Sequence, residues 1–222
     1  MTPSPPTPVL NVTGLHFDWP GLPLFKDLSL HLLPGLSLVH GDESCGKTTL
    51  LRLLAGELPA REGSLVLRDT SLATQPDNYR ALAFRTDPRS EAFHAISAQT
   101  WFSTLAERWP SFDANAALRL ASGFALDPHI DKPMYMLSAG SKRKVWLSAA
   151  FAAGTPLTLI DEPFAALDAS SIRFLHSLLE EASQRTDRVC LLADHVVPEG
   201  PMFRTRLELG AGVQKLHSAP DD

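Results

Sequence analysis

The stretch Gly41-Asp42-Glu43-Ser44-Cys45-Gly46-Lys47-Thr48-Thr49 constrains this chain more than any other. It follows a short apolar run, Leu36 to His40. It precedes Leu50, Leu51, Leu53 and Leu54, which recur at helical spacing until Gly56. The order is therefore buried strand, glycine-containing loop, helix. Its spacing, G-x-x-x-x-G-K-[ST], suits a loop wrapped round phosphate groups. Gly41 and Gly46 let the backbone approach closely. Loop N–H groups and the helix N-terminus supply partial positive charge. Lys47 is then expected on the β- and γ-phosphates of a nucleotide, and Thr48 on Mg²⁺.

The rest of the chain alternates in the same manner. Strands are expected at Val9 to Phe17, Leu28 to Leu33, Leu65 to Leu67 and Leu82 to Phe84. Pro34-Gly35 marks a tight turn before Leu36. Leu157 to Ile160 and Val189 to Leu192 read as buried strands, separated by a helix from Ala169 to Arg185 with Ile172, Leu175, Leu178, Leu179 and Ala182 on its apolar face. Such alternation predicts a largely parallel sheet with helices on both faces, an α/β fold. Ligand chemistry on such a sheet gathers at the C-terminal ends of its strands. Between about residues 90 and 140 the composition shifts: Trp101, Phe102, Leu105 and Trp109, then Ala117, Leu120, Ala121 and Phe124, recur at helical spacing as a small helical lobe. Residues 1–8, with Pro3, Pro5, Pro6 and Pro8, read as a flexible tail ahead of a single domain over 9–222.

Composition bounds the function. The 222 residues suit one domain with a smaller inserted lobe. A formal net charge of -5 gives the surface no general attraction for nucleic acid, which is not expected as a partner. Two cysteines, Cys45 and Cys190, are too few for a disulfide framework and read as thiols in a reducing, cytoplasmic setting. The first lysine or arginine is Lys26, so no secretory leader is expected at the start. The longest uncharged run, Val145 to Ile160, is interrupted by Gly154 and Pro156 and falls short of the ~20 apolar residues a membrane-spanning helix needs.

A second chemical motif lies at the end of a buried strand, in Leu157 to Pro163. Asp161 is placed to hold the Mg²⁺ shell, and Glu162 to polarise an attacking water as general base. Between the two motifs stands LSAGSKRKV, residues 137–145, which resembles the signature motif of the ATP-binding cassette (ABC) family. AALD, residues 165–168, is similar to that family's D-loop; His195 matches its switch histidine, and Trp19 stands where the family stacks an aromatic on adenine.

The resemblance covers residues 9 to 210. It implies a P-loop core with an antiparallel N-terminal β subdomain and an inserted helical subdomain, binding ATP and Mg²⁺. In that family Gly41 to Thr49 (with Asp42, Glu43, Ser44 and Cys45) hold the nucleotide, while Ser138 and Gly140 contact the γ-phosphate bound by a second subunit. Asp168 would communicate across that dimer, and His195 would hold the γ-phosphate and the attacking water. Four departures are visible: Ser44 for a frequent glycine, acidic Asp42 and Glu43 beside an anion site, Ala139 and Ser141 within the signature, and Asp87 where the family's Q-loop glutamine is expected. A carboxylate at Asp87 can bind Mg²⁺ but cannot donate a hydrogen bond.

The implied function is the ATP-hydrolysing energy subunit of a transporter, paired as a homodimer on a separate membrane permease and peripheral to the inner face of the cell membrane. The apolar lobe residues Phe93, Trp101, Phe102 and Trp109, with Arg85, Asp87 and Arg89 as a polar rim, are expected to receive a helix from that permease. Two other readings stay open: a soluble non-transport cassette ATPase, and a nucleotide-binding scaffold with weak hydrolysis. The short stretch after His195 is expected to carry no large regulatory domain.

Overall fold

The computed structural model describes residues 7–87, 90–210 and 213–218. The proline-rich start therefore lies outside the described residues except for Thr7 and Pro8. In chain order the elements are β1 (Leu10–Trp19), β2 (Leu22–Leu32), β3 (Gly35–Gly41), α1 (Lys47–Leu54), β4 (Glu62–Leu67), β5 (Thr70–Ser71), α2 (Pro76–Ala81), β6 (Ala83–Arg85), α3 (Ala98–Arg108), α4 (Ala114–Gly123), α5 (Ala139–Ala152), β7 (Leu157–Asp161), α6 (Ala169–Ser183), β8 (Val189–Asp194), β9 (Thr205–Gly210) and β10 (Val213–Ser218).

Six strands form one sheet in the order β10-β9-β3-β8-β7-β6. All its pairings are parallel except β9 with β10. The other four form an antiparallel sheet, β2-β1-β4-β5. Pro23 sits in β2, an edge strand, where a missing N–H costs no ladder bond.

Period-two alternation sorts the central strands between two cores. Val39, Leu157, Leu159, Leu191 and Ala193 face α1 and the antiparallel sheet. Leu36, Leu38, Ile160, Cys190 and Leu192 face α5, α6 and the helical lobe. The expected buried strands thus run through the middle of the molecule, covered on both faces. The lobe is packed by its own aromatics: Trp101 and Phe102 are fully buried, and Trp101 meets Trp146 of α5 with ring centroids 4.3 Å apart.

Four elements, β2, α2, β9 and β10, differ from the sequence expectation. β2 begins at Leu22, because Pro20-Gly21 turns the chain into a hairpin with β1, Gly21 adopting φ 78°. The helix α2 presents a single buried residue, Tyr79, so no apolar stripe announces it. Strands β9 and β10 extend the parallel sheet beyond β3. Tyr79 donates its hydroxyl to the Leu54 carbonyl at 2.8 Å, and burial raises its pKa well above the usual phenol range.

Candidate nucleotide site

The C-terminal edge of the parallel sheet carries the polar clusters. Here β3 runs into the loop 41–46, β7 ends at Asp161 and β8 ends at Asp194. Between them opens a cavity of about 620 Å³, lined by Lys47, Thr48 and Thr49 from α1, by Glu162, Phe164 and Ala165 after β7, and by Asp194 and His195. Glu43, Ser44 and Gly46 complete the lining from the loop.

The loop is shaped from beneath. A Cβ on Gly41 would collide with the backbone carbonyl oxygen of Leu209 in β9, so glycine is required there by space. Gly46 adopts φ 103° and lies against Leu24, the point where the β1–β2 hairpin reaches the loop. Lys47 curls back over the loop. Its Nζ donates to the carbonyls of Gly41 and Asp42 at 2.7 Å each, and lies 3.8 Å from Cys45 Sγ. The side chain is only 8% exposed, so its ammonium is placed inside the anion cradle.

Ser44 adopts φ 61°. A non-glycine residue pays about 1–2 kcal/mol for that left-handed conformation, and glycine would give back roughly 0.5–1 kcal/mol through the unfolded chain. Ser44→Gly is therefore expected to raise stability by about 0.5–1 kcal/mol in chemical denaturation. A loss of stability would show that the hydroxyl holds the loop.

Thr48 Oγ1 donates to Asp161 Oδ2 at 2.6 Å, joining the first turn of α1 to the end of β7. Glu162 follows with φ 47°, its N–H bonded to the Ala193 carbonyl at 2.8 Å. The turn lifts the chain out of the sheet directly after Asp161. Asp194 is buried, and no sequence motif assigns it a role. Its Oδ1 accepts from the His195 N–H at 2.7 Å and lies 2.9 Å from His195 Nδ1, which fixes the ring and leaves Nε2 for a ligand.

The remaining candidate residues lie outside this lining. Trp19 stands at the hairpin tip, 40% exposed, edge-on to Phe17. Ser138 caps α5, accepting from the Ser141 N–H at 3.1 Å, and Gly140 packs under the Ala166 carbonyl. Asp168 caps α6 through the Ser171 N–H and bonds Lys144 Nζ at 2.7 Å. The Lys144 ammonium, with Ser170 and the Ser171 N–H, holds the Asp168 carboxyl well below its usual range. A depressed carboxylate pKa stabilises the fold above the ordinary value of about 4, and the contribution is lost as pH falls toward the folded pKa. Lys144 therefore ties the signature helix to the D-loop segment, a contact between residues far apart in sequence. Its neighbour Arg143 donates to the Asp161 carbonyl at 2.8 Å.

Asp87 lines a different hollow, of about 390 Å³, beside the helical lobe. There Arg85 binds Glu57 at 2.8 Å and Asp87 at 3.1 Å. Burial alone would lower the Arg85 pKa; its two carboxylate partners outweigh that and raise it. Its side chain is only 7% exposed, so Arg85 is an internal staple rather than the rim residue expected from sequence. Arg89 lies outside the described residues. Trp101, Phe102 and Trp109 are buried in the lobe, while Phe93 is half-buried on the wall of this hollow.

A glycine-shaped loop with an internal lysine, a Thr48–Asp161 hydrogen bond and an adjacent carboxylate, set at the C-terminal edge of a parallel sheet, is the arrangement of a P-loop nucleotide hydrolase. Comparison with known proteins agrees. The family model described as ABC transporter matches residues 25–165. The cytochrome c biogenesis ATP-binding export protein CcmA of Pseudomonas syringae is 32% identical over 93% of this chain and 97% of its own length. The taurine import ATP-binding protein TauB of Escherichia coli is 30% identical over 90% of this chain and 79% of its own. Among solved structures, an ATP-binding subunit of an ABC transporter superposes with a TM-score of 0.84 at 21% identity, covering 95% of this chain and 90% of that one. An ATP-binding cassette solved as a post-hydrolysis dimer with ADP and Pi superposes with a TM-score of 0.80 at 15% identity, covering 94% and 98%. The chain belongs to the ABC transporter family, as an ATP-binding subunit with ATPase activity.

Proposed function

We propose that this subunit drives solute across a membrane through a separate permease, hydrolysing Mg-ATP at two sites shared between two copies. The observation that carries the shared-site reading is the placement of Ser138 and Gly140. Neither lines the cavity around Lys47, although each copy carries both features. A twofold isologous pair brings the α5 N-terminus of one copy to the cavity of the other.

Within the cavity, Lys47 leaves its loop carbonyls for the β- and γ-phosphates. Thr48 and Asp161 fit Mg²⁺: their oxygens converge at 2.6 Å, and hard oxygen donors are what that ion prefers. When bound, the ion would neutralise charge developing on the phosphates. Glu162 accepts a proton from the attacking water, and His195, held by Asp194, steadies the γ-phosphate. The sequence departures leave each of these residues in place.

No helix among the described residues is long and apolar enough to cross a membrane. Association with a membrane would therefore run through the permease, with the subunit on its cytoplasmic side. The hollow beside α3, walled by Phe93, Trp101 and Trp109, suits an apolar helix tip, and Arg108 supplies polar rim. Export and import relatives match the chain at 32% and 30% identity, as expected if direction resides in the permease.

Phe93→Glu places a charge on the wall of the hollow. Recovery of a multi-span membrane protein with the tagged subunit is expected to fall at least tenfold (roughly the effect of losing one interface hot spot). ATP binding is expected to hold within about twofold of wild type, since Phe93 lies outside the nucleotide cavity. Unchanged recovery would place the permease contact elsewhere on the subunit; failure of the wild type to recover any membrane protein would favour a soluble cassette.

A further inference from the structure

A second cavity, of about 470 Å³, lies at the opposite edge of the parallel sheet from the nucleotide. Its floor is apolar: Phe151 at the end of α5, Leu178 of α6, and Cys190 of β8. Burial pushes the Cys190 thiol up to about 12, so this floor carries no charge near neutral pH. Leu120 of α4 forms a wall. Around the cavity stand three guanidinium groups, Arg119, Arg185 and Arg188, together with the Glu181 carboxylate. Arg119 lies 3.6 Å from Asp113 and Arg188 2.8 Å from Asp187. Arg185 makes no side-chain hydrogen bond or ion pair among the described residues, although Asp187 lies within its electrostatic reach. Two of the three arginines are thus already paired, and Arg185 is the guanidinium open to a carboxylate or phosphate head above the apolar floor.

The cavity also shares elements with the nucleotide site. The elements that form it carry the functional residues at their far ends. Helix α5 contributes Phe151 here and begins at the Ser138 cap, its 14 residues spanning about 21 Å. Strand β7 contributes Thr158 and ends at Asp161; β8 contributes Cys190 and ends at Asp194; α6 contributes Leu178 and begins at the Asp168 cap. Because α4 supplies the opposite wall, an occupant touches both the helical lobe and the sheet core.

We propose that this cavity is a second ligand site, taking a small amphipathic anion with a carboxylate or phosphate head and an apolar body, and that its occupancy is transmitted through α5 to the signature residues. The binding stands independently of the transport reading; the transmission rests on the role proposed above for Ser138 and Gly140.

The test uses the full chain with three probes of equal length: decanoate, decyl phosphate and decanol. Calorimetric titration is expected to show saturable binding of at least one anion below about 1 mM, with decanol at least tenfold weaker. The tighter of the two anions identifies the head group. Arg185→Glu should weaken the anions at least tenfold and leave decanol unchanged. Ala116→Trp, on the α4 wall, should remove binding of all three by filling the space. Both variants should bind ATP within about twofold of wild type, since neither residue touches that cavity. Saturating anion should change the ATPase rate at least twofold in the wild type and not in the variants. Equal affinity for decanol and decanoate, or full anion binding by Arg185→Glu, would overturn the site. Binding with an unaltered rate would overturn the transmission while leaving the transport reading intact.

Discussion

Glu162→Gln is expected to bind ATP as the wild type does and to hydrolyse it ~10²–10⁴ times more slowly, the usual worth of a positioned general base. The amide preserves the shape of the side chain that lines the cavity after β7 and cannot accept a proton from water. Its backbone position is set separately, by the turn at φ 47° and the N–H bond to Ala193, so the substitution leaves the turn intact. Slow turnover with bound ATP has a visible consequence. The variant should accumulate as a dimer on gel filtration in Mg-ATP with its permease present. Turnover at the wild-type rate would remove Glu162 from the chemistry; a persistent monomer would instead remove the shared site.

Lys47→Ala is expected to act on the other side of that division, weakening ATP binding by about 10²–10³. The lysine makes two charge-assisted bonds inside the loop, to Gly41 and Asp42, and exchanges them for phosphate oxygens when nucleotide enters. Hydrogen bonds to a charged partner contribute about 1.5–3 kcal/mol each, and two such contacts account for the expected range once the loop bonds are given up. Binding of a fluorescent ATP analogue would measure it. If Lys47→Ala and Glu162→Gln lost binding equally, the assignment of one to binding and the other to chemistry would be wrong.

How much of this was legible in the chain follows from where the determinants lie in sequence. The loop 41–49 and the run 157–163 each gather their chemistry within one strand end, so spacing alone reveals them. Asp194 is plain in the sequence as the neighbour of His195, yet only the 2.9 Å contact from its buried carboxylate to the exposed ring gives it a role. Other features needed the third dimension. Helix α5 is buried on most sides over Val145 to Ala152, so it shows no polar face and reads as an undifferentiated apolar run. Strand β10 is an edge strand with Lys215, Leu216 and His217 exposed, and its alternation marks no core face. Arg85 looked like a surface charge because nothing local foretells Glu57, which reaches it from a segment 28 residues earlier. The hollow beside α3 and the arginine-rimmed cavity are likewise assembled from segments far apart in sequence, the first from β6, α3 and α5 and the second from α4, α5, α6, β7 and β8, and leave no contiguous trace.

The position of β3 has a consequence for how the molecule is made. Its two neighbours in the sheet are β8 and β9, and the Leu209 carbonyl under Gly41 belongs to the latter. The loop that receives phosphate is thus moulded by a strand that is synthesised long after it. Closing so long a loop precedes any reward from the strand pairing, which makes assembly of this site slow relative to the local hairpin β1–β2. A nascent subunit is accordingly without its nucleotide cradle until β9 has been made and paired with β3, and ATP cannot serve as a template for the earlier stages of its folding.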